Sequence, residues 1–243
     1  MKRITVASSM AWLSGFVLLA TLTSSAQVIR ANAEVKSPDL NVILQGIEDV
    51  QHQDPAKSRP YGVTREYKVF CGDDKKALSE VIADIDFVPP DQRTYKIIQT
   101  KGNLLGNRVV RAALVRETAP AKDDEGAVIS RANYNFVFLR RQNFGVIPEY
   151  VLAVYPKRKD KDLLRGQIWV DASNFRILRI EGVPAKSSSF WLKSLHVTLE
   201  FAELGGMWVP VTFNGIATLR LFGECTLAGL NTRTFDSLAT ASK

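Results

Sequence analysis

Leu195-His196-Val197-Thr198-Leu199-Glu200-Phe201 alternates apolar and polar side chains at every step. That is the period of a strand buried on one face and wet on the other. Outward from it, residues 134–227 read as one strand after another. Segments 134–141, 150–155, 163–170, 175–181, 195–201, 207–213 and 216–222 are separated by turn-formers such as Asn143-Phe144-Gly145 and Gly205-Gly206. No helical period interrupts them. In the first segment Tyr134, Phe136 and Phe138 point one way while Val137 and Leu139 point the other. Such a strand is expected to be covered on both faces, by a helix, a second sheet or an apolar ligand.

The preceding half is mixed. Leu40, Ile43, Ile47 and Val50 recur at helical spacing with Glu48 and Asp49 off that face, which predicts a helix over 38–53. Ser37 would cap it, with Pro38 in the first turn. A polar link over 53–60 leads to a strand over 61–70, a turn at Gly72-Asp73-Asp74, and a return strand carrying Val81, Ala83, Ile85 and Phe87. Pro89-Pro90 ends that hairpin, and 95–99 is a short third strand. Leu105, Val109, Ala113 and Leu114 share a face over 103–117, with Arg108, Arg111 and Arg116 spread over the rest. Pro120 stops this second helix, and 118–133 reads as a mobile loop.

Lys2 and Arg3, the apolar run 10–22 and Ser24-Ser25-Ala26 form a secretory signal, with cleavage expected near Ala26. Ala31-Asn32-Ala33 is a second site, farther from the apolar run. No cysteine follows the run, so there is no lipobox, and a soluble periplasmic protein is expected. The expected layout is a signal peptide over 1–26, a flexible N-terminus over 27–37, one domain over 38–230 and a tail over 231–243. With 46% apolar residues the chain can bury a real core. Removing 1–26 takes away Lys2 and Arg3 and no acid, so the formal charge falls from +7 to +5. That mild excess suits anionic lipid headgroups and is equally compatible with ordinary solubility. The bases are scattered, and nucleic acid is not an expected partner.

Cys71 and Cys225 are the only cysteines, so an exported chain admits one disulfide. If the first and last strands meet, a bridge would clamp the sheet; two separate thiols in apolar niches is the alternative. The sequence offers no zinc spacing, no phosphate-cradling glycine loop and no nucleophile elbow. Its two histidines are His52, at a helix end, and His196, on a polar strand face. Asp84, Asp86 and Asp171 alternate with apolar residues or sit at turns, the ordinary place for solvent-facing carboxylates. The expectation is a protein that is not an enzyme, with no cofactor and no metal. The aromatics are more suggestive. Tyr134, Phe136, Phe138, Trp169, Phe190, Trp191, Trp208 and Phe213 are the candidate ligand-binding set, for a lipid-sized cavity under amphipathic helices. The alternative is that they are simply core.

The layout resembles the LolA/LolB-like outer-membrane lipoprotein-sorting family. The features that carry the resemblance are the signal segment, helix 38–53, the hairpin opening Tyr61-Gly62-Val63-Thr64-Arg65-Glu66-Tyr67, and Trp208-Val209-Pro210. To these are added Gly166-Gln167-Ile168-Trp169-Val170-Asp171 and the returning Phe175-Arg176-Ile177-Leu178-Arg179-Ile180-Glu181-Gly182. The resemblance implies an α+β fold: a strongly curved antiparallel sheet, or half-barrel, with amphipathic helices covering its concave face. It implies acyl chains, lipid or acylated lipoprotein as cargo, and an envelope membrane or receptor protein as partner. Arg93 is a loose positional match to the arginine with which the best-known carriers tether their lid. A different reading keeps the sheet, fills it with its own core, and makes the protein an interaction or envelope-sensing domain.

Overall fold

The computed structural model describes residues 39–72, 76–89, 92–119, 128–186, 192–220 and 223–235. The signal segment, Ser37, Pro38, Phe190 and Trp191 lie outside them. Order along the chain is α1 (Leu40–Gln53), a 3-10 turn (Pro55–Lys57), β1 (Tyr61–Cys71), β2 (Ser79–Val88), β3 (Gln92–Gly102) and α2 (Leu104–Glu117). Then follow β4 (Tyr134–Phe144), β5 (Ile147–Pro156), β6 (Leu164–Asp171), β7 (Ile177–Pro184), β8 (Leu192–Leu204), β9 (Met207–Leu219) and β10 (Gly223–Phe235). The fold is α+β. Ten antiparallel strands form one sheet in the order β3-β2-β1-β10-β9-β8-β7-β6-β5-β4, open at β3 and β4. Among the described residues no helix is long and apolar enough to cross a membrane.

Register places both helices on one face. Directly opposed partners run Phe138–Leu152–Ile168–Ile180–Leu199–Phe213–Gly229–Tyr67–Val81 across nine strands. Partners in such a row share a face. At the β4–β7 end of the row Ile43, Leu44 and Ile47 of α1 pack with Leu152, Ile168 and Ile180. At the β1–β3 end Val110 and Leu114 of α2 pack with Tyr67, Val81 and Ile85. The sheet therefore carries two separate cores on the same side.

Several expectations change. Asp39, not Ser37, caps α1: its carboxylate accepts a hydrogen bond from the Asn41 amide at 2.9 Å. The buried stripe of α2 is Gly106, Val110 and Leu114, while Leu105 stays 36% exposed. Gly106 decides that rotation, because a Cβ there would lie 2.5 Å from Ser79 Cβ, so only glycine lets α2 approach β2 so closely. Segments 207–213 and 216–222 merge into β9, since Gly215 pairs with Val197 on one side and Leu227 on the other. The short third strand extends over all of β3. Phe175 is not in a strand; it sits at φ 58 in the β6–β7 turn, its ring against Gly46 of α1. β10 has no sequence counterpart and runs to Phe235, into the segment expected to be a tail. Val137 and Leu139 are 48% and 42% exposed, so the second face of β4 is not covered. The helices form a layer on one side only.

β1 and β10 are neighbours, and Cys71 lies directly opposite Cys225. The two are joined by a disulfide with a Cα–Cα distance of 4.1 Å.

Candidate functional site

The site starts from the alternation of β1. Tyr61, Val63, Arg65, Tyr67 and Val69 face the helices; four of the five are apolar or aromatic, as a core stripe requires, and the fifth is a charge. Arg65 is 7% exposed and sits where the two cores leave a gap. Its Nη1 donates to Glu117 Oε1 and Oε2 at 2.8 and 2.7 Å and to the Tyr67 hydroxyl at 3.2 Å. Its Nε donates to Asn231 Oδ1 at 2.6 Å. A charge this deep persists only when every donor finds an acceptor. Burial alone would lower the Arg65 pKa; the Glu117 charge and the Tyr67 oxygen outweigh it and hold the group above its usual value. Burial, then the Glu117 charge, pushes the Tyr67 phenol well up. Burial pushes Tyr61 up to about 12.

Around this floor the two cores leave a cleft of about 700 Å³. One wall is the end of α1 with Glu48, Gln51 and His52, together with Val128, Ser130 and Ala132 of the segment leading to β4. Arg131 fixes that segment. It donates to Glu48 from its backbone amide at 3.0 Å and from Nη2 at 2.6 Å, while Gln51 Nε2 donates to the Ile129 carbonyl at 3.0 Å. The Arg131 hydrogen bond holds the Glu48 carboxyl below its usual range. The opposite wall is Phe87, Val88, Pro89 and Arg93. Tyr61 and Phe87 stack with centroids 4.6 Å apart, and the Arg93 guanidinium lies 5.6 Å from the Phe87 ring. Val209 and Pro210 of β9 close the far side, where the Pro210 carbonyl accepts from Asn231 Nδ2 at 2.7 Å. The space can take a ligand with an apolar body and a polar or anionic end. Sites of about 300–1,000 Å³ with this mixture are the usual range for small-molecule pockets.

Of the aromatic set, none lines this cleft among the described residues. Tyr134, Phe136 and Phe138 pack in the α1 core, with Tyr134 2% exposed and its hydroxyl accepting from the Leu164 amide at 3.3 Å. Phe213 packs in the α2 core. Trp169 follows Ile168 and precedes Val170, both in the α1 core, so it points to the other face, where Arg179 covers its ring at 4.8 Å. Trp208 adjoins the cleft through Val209; its Nε1 donates to the Ile177 carbonyl at 2.7 Å and Arg176 lies 4.9 Å from its ring. Arg93 reaches the end of α2, with Nη1 3.5 Å from the Glu117 carbonyl oxygen. Sequence reading passed over Arg65, Glu117 and Asn231. An arginine at an inward position of β1 was the available signal.

Among the described residues no cluster of three or more His, Cys, Asp or Glu could hold a metal ion. His196 meets Glu181 at 3.0 Å on the face away from the helices, remote in register from the cleft. Asp171, 9% exposed, accepts from the Ser173 amide and hydroxyl and from Asn174 Nδ2, so it shapes a turn.

An open antiparallel sheet with two helices on one face and a cleft between them defines the class of protein. No family model matches the chain, and no curated protein is similar to it. Among solved structures, an outer membrane lipoprotein-sorting protein domain from Vibrio parahaemolyticus is similar at 15% identity over 80% of this chain and 93% of that one, with a TM-score of 0.46. A LolA superfamily protein from Nitrosomonas europaea is similar at 16% identity, covering 80% and 91%, with a TM-score of 0.36. A DUF1329 family protein from Desulfovibrio piger is similar at 12% identity, covering 82% and 93%, with a TM-score of 0.46. The chain is thus similar to LolA-superfamily and DUF1329 structures over most of its length, at low identity.

Proposed function

We propose that the protein is an exported, periplasmic binding protein that takes an acyl chain of a lipid or acylated lipoprotein into the cleft between its two cores. The observation that carries this reading is the cleft itself, about 700 Å³, with an apolar patch at Phe87, Val88 and Val209 and polar groups around it that include the Arg65–Glu117 pair and Arg93. Burial of a chain against Phe87, Val88 and Val209 supplies about 0.8 kcal/mol per methylene, so no covalent step is needed. Arg93, near the last carbonyl of α2, holds that helix over the site, and release of the contact admits the cargo. In this reading the sheet curves as a half-barrel round the helices, the signal peptide is removed near Ala26, and delivery ends at an envelope membrane or receptor. The outer membrane lipoprotein-sorting domain and the LolA superfamily protein to which the chain is similar fit the same picture.

The dense packing of Tyr134, Phe136 and Phe138 under α1 favours a second reading, in which the sheet is filled by its own core and a partner protein binds outside. Native mass spectrometry with lipid extraction, on mature protein purified after export, separates the two. The carrier reading expects a co-purifying lipid or acylated peptide. It also expects saturable uptake of a fluorescent fatty acid that Val88→Trp, which fills the cleft, abolishes. A clean apo mass with no uptake of added lipid would sink the carrier and leave the interaction domain.

A further inference from the structure

We propose that the tip of the β4–β5 hairpin is a membrane-contact element that seats in an anionic bilayer surface. Phe144 pairs with Ile147 across a two-residue turn, Gly145-Val146. Gly145 has φ 59 while Val146 is not left-handed, the backbone of a type II′ turn. That geometry is tight and projects its second residue outward. Hairpin tips are normally polar, because nothing there is buried. This tip is Phe144 at 72% exposure, Val146 at 97% and Ile147 at 37%. Val146 is the most exposed large apolar residue in the described chain.

The charges behind the tip have one sign outside. The hairpin contains Arg140, Arg141 and Glu149 as its charged residues. Both arginines are exposed, whereas Glu149 is 5% exposed and accepts a hydrogen bond from Gln142 Nε2 at 3.0 Å. Solvent therefore meets an apolar point with two cations directly behind it. That order matches a bilayer from the inside outward, acyl region first and anionic headgroups next. A protein partner fits less well, since three side chains on a point fall far short of the roughly 800 Å² per partner of a stable interface. A second copy packed tip to tip would bring the arginines against each other. A bilayer needs no complementary socket.

The test uses the mature chain with vesicles of phosphatidylcholine alone or mixed equally with phosphatidylglycerol. Co-sedimentation is expected with the mixed vesicles and is expected to weaken with salt. The double variant Phe144→Ser/Val146→Ser should bind at least about tenfold more weakly, given the burial of two apolar side chains. Arg140→Gln/Arg141→Gln should lose most of the salt dependence. Both changes lie on exposed side chains, so thermal unfolding should be unchanged, and Val146→Ser alone serves if the double variant melts early. An environment-sensitive dye on Val146→Cys should shift to the blue on the mixed vesicles. Absence of vesicle binding by the unmodified chain overturns the proposal, as does unchanged binding by the serine variants or a dye that remains in water. Fatty-acid uptake by the same serine variants should be normal, so a failure at the tip and a failure of the cleft reading are told apart.

Discussion

Glu117 ends α2 with a carboxylate at the negative end of the helix, and Arg65 of β1 meets it there at 2.7 Å. A helix C-terminus disfavours an acid, so the buried guanidinium is what makes Glu117 tolerable at that position. The pair ties α2 to the floor of the cleft. Glu117→Ala leaves Arg65, with a side chain 9% exposed, without its counter-charge. A loss of about 2–3 kcal/mol is expected, discounted for the partial exposure of Glu117. Urea denaturation measures it. An unchanged midpoint would mean that Tyr67 and Asn231 alone satisfy Arg65.

Burial raises Tyr61 to about 12, with Tyr67 and Tyr134 also raised, against about 10 for an unfolded phenol. A raised folded pKa means that the native state holds its proton longer than the unfolded chain. This contribution is fully present below pH 10 and is lost as pH climbs from 10 toward 12, at up to about 1.4 kcal/mol per pH unit for each tyrosine. Stability measured between pH 8 and the onset of base unfolding should bend downward near pH 10, where the unfolded phenol begins to lose its proton. Tyr61→Phe should make the bend shallower. A flat profile would remove burial as the cause.

Cys71 and Cys225 close a loop of 154 residues. On the chain-entropy account, a bridge over so long a loop is worth about 3–5 kcal/mol. Reduction or Cys71→Ser/Cys225→Ser should lower the unfolding free energy by that amount, read from the shift of the denaturation curve. Intact-mass measurement before and after reduction with alkylation confirms which form is present.

Gly166 and Gly182 face each other across β6 and β7. A Cβ on Gly166 would lie 1.9 Å from the Glu181 carbonyl oxygen and 2.6 Å from Gly182 Cα, and neither backbone atom can turn aside. Gly166→Ala should destabilise by about 2–3 kcal/mol through forced separation of the two strands. Gly72→Ala is the contrasting case: unlike Gly166, Gly72 stands at φ 68, where a side chain strains the backbone, but nothing lies within 4 Å of its Cβ. Comparison of the two melting temperatures sets contact with the facing strand against strain of a left-handed backbone.

Strand segments with apolar alternation, β1, β2 and β6, were legible because each buries one face, and β5 was legible as an unbroken apolar run whose residues Val151, Leu152, Ala153 and Val154 are all buried. β10 was not, because Thr226, Ala228, Gly229, Asn231 and Thr232 carry no apolar period. Ladders on both sides hold it, to β1 and β9, and a ladder partner is invisible to a local pattern. The break expected between segments 207–213 and 216–222 is absent, because Asn214 and Gly215 keep their ladder partners on β8 and β10. At the site, the aromatic clusters drew attention since size signals burial, yet among the described ones Tyr134, Phe136, Phe138 and Phe213 serve the cores. The lining came from β1, β2, β3, β9, β10, α2, the end of α1 and the segment leading to β4, which are far apart in the chain.

Periodicity and caps are local, so the amino-acid order determined on its own that this is an α+β chain with a helix, a hairpin, a second helix and a long antiparallel run. Composition likewise determined a charge balance with no metal or nucleophile motif. Pairing decided the rest. Placing β10 beside β1 brought Cys71 to Cys225, set both helices on one face, and left a gap between two cores with Arg65 beneath it. Those relations depend on contacts between residues far apart in the chain, 154 positions for Cys71 and Cys225 and 166 for Arg65 and Asn231. Such contacts gain stability only once the whole sheet is assembled, and no window of sequence contains them.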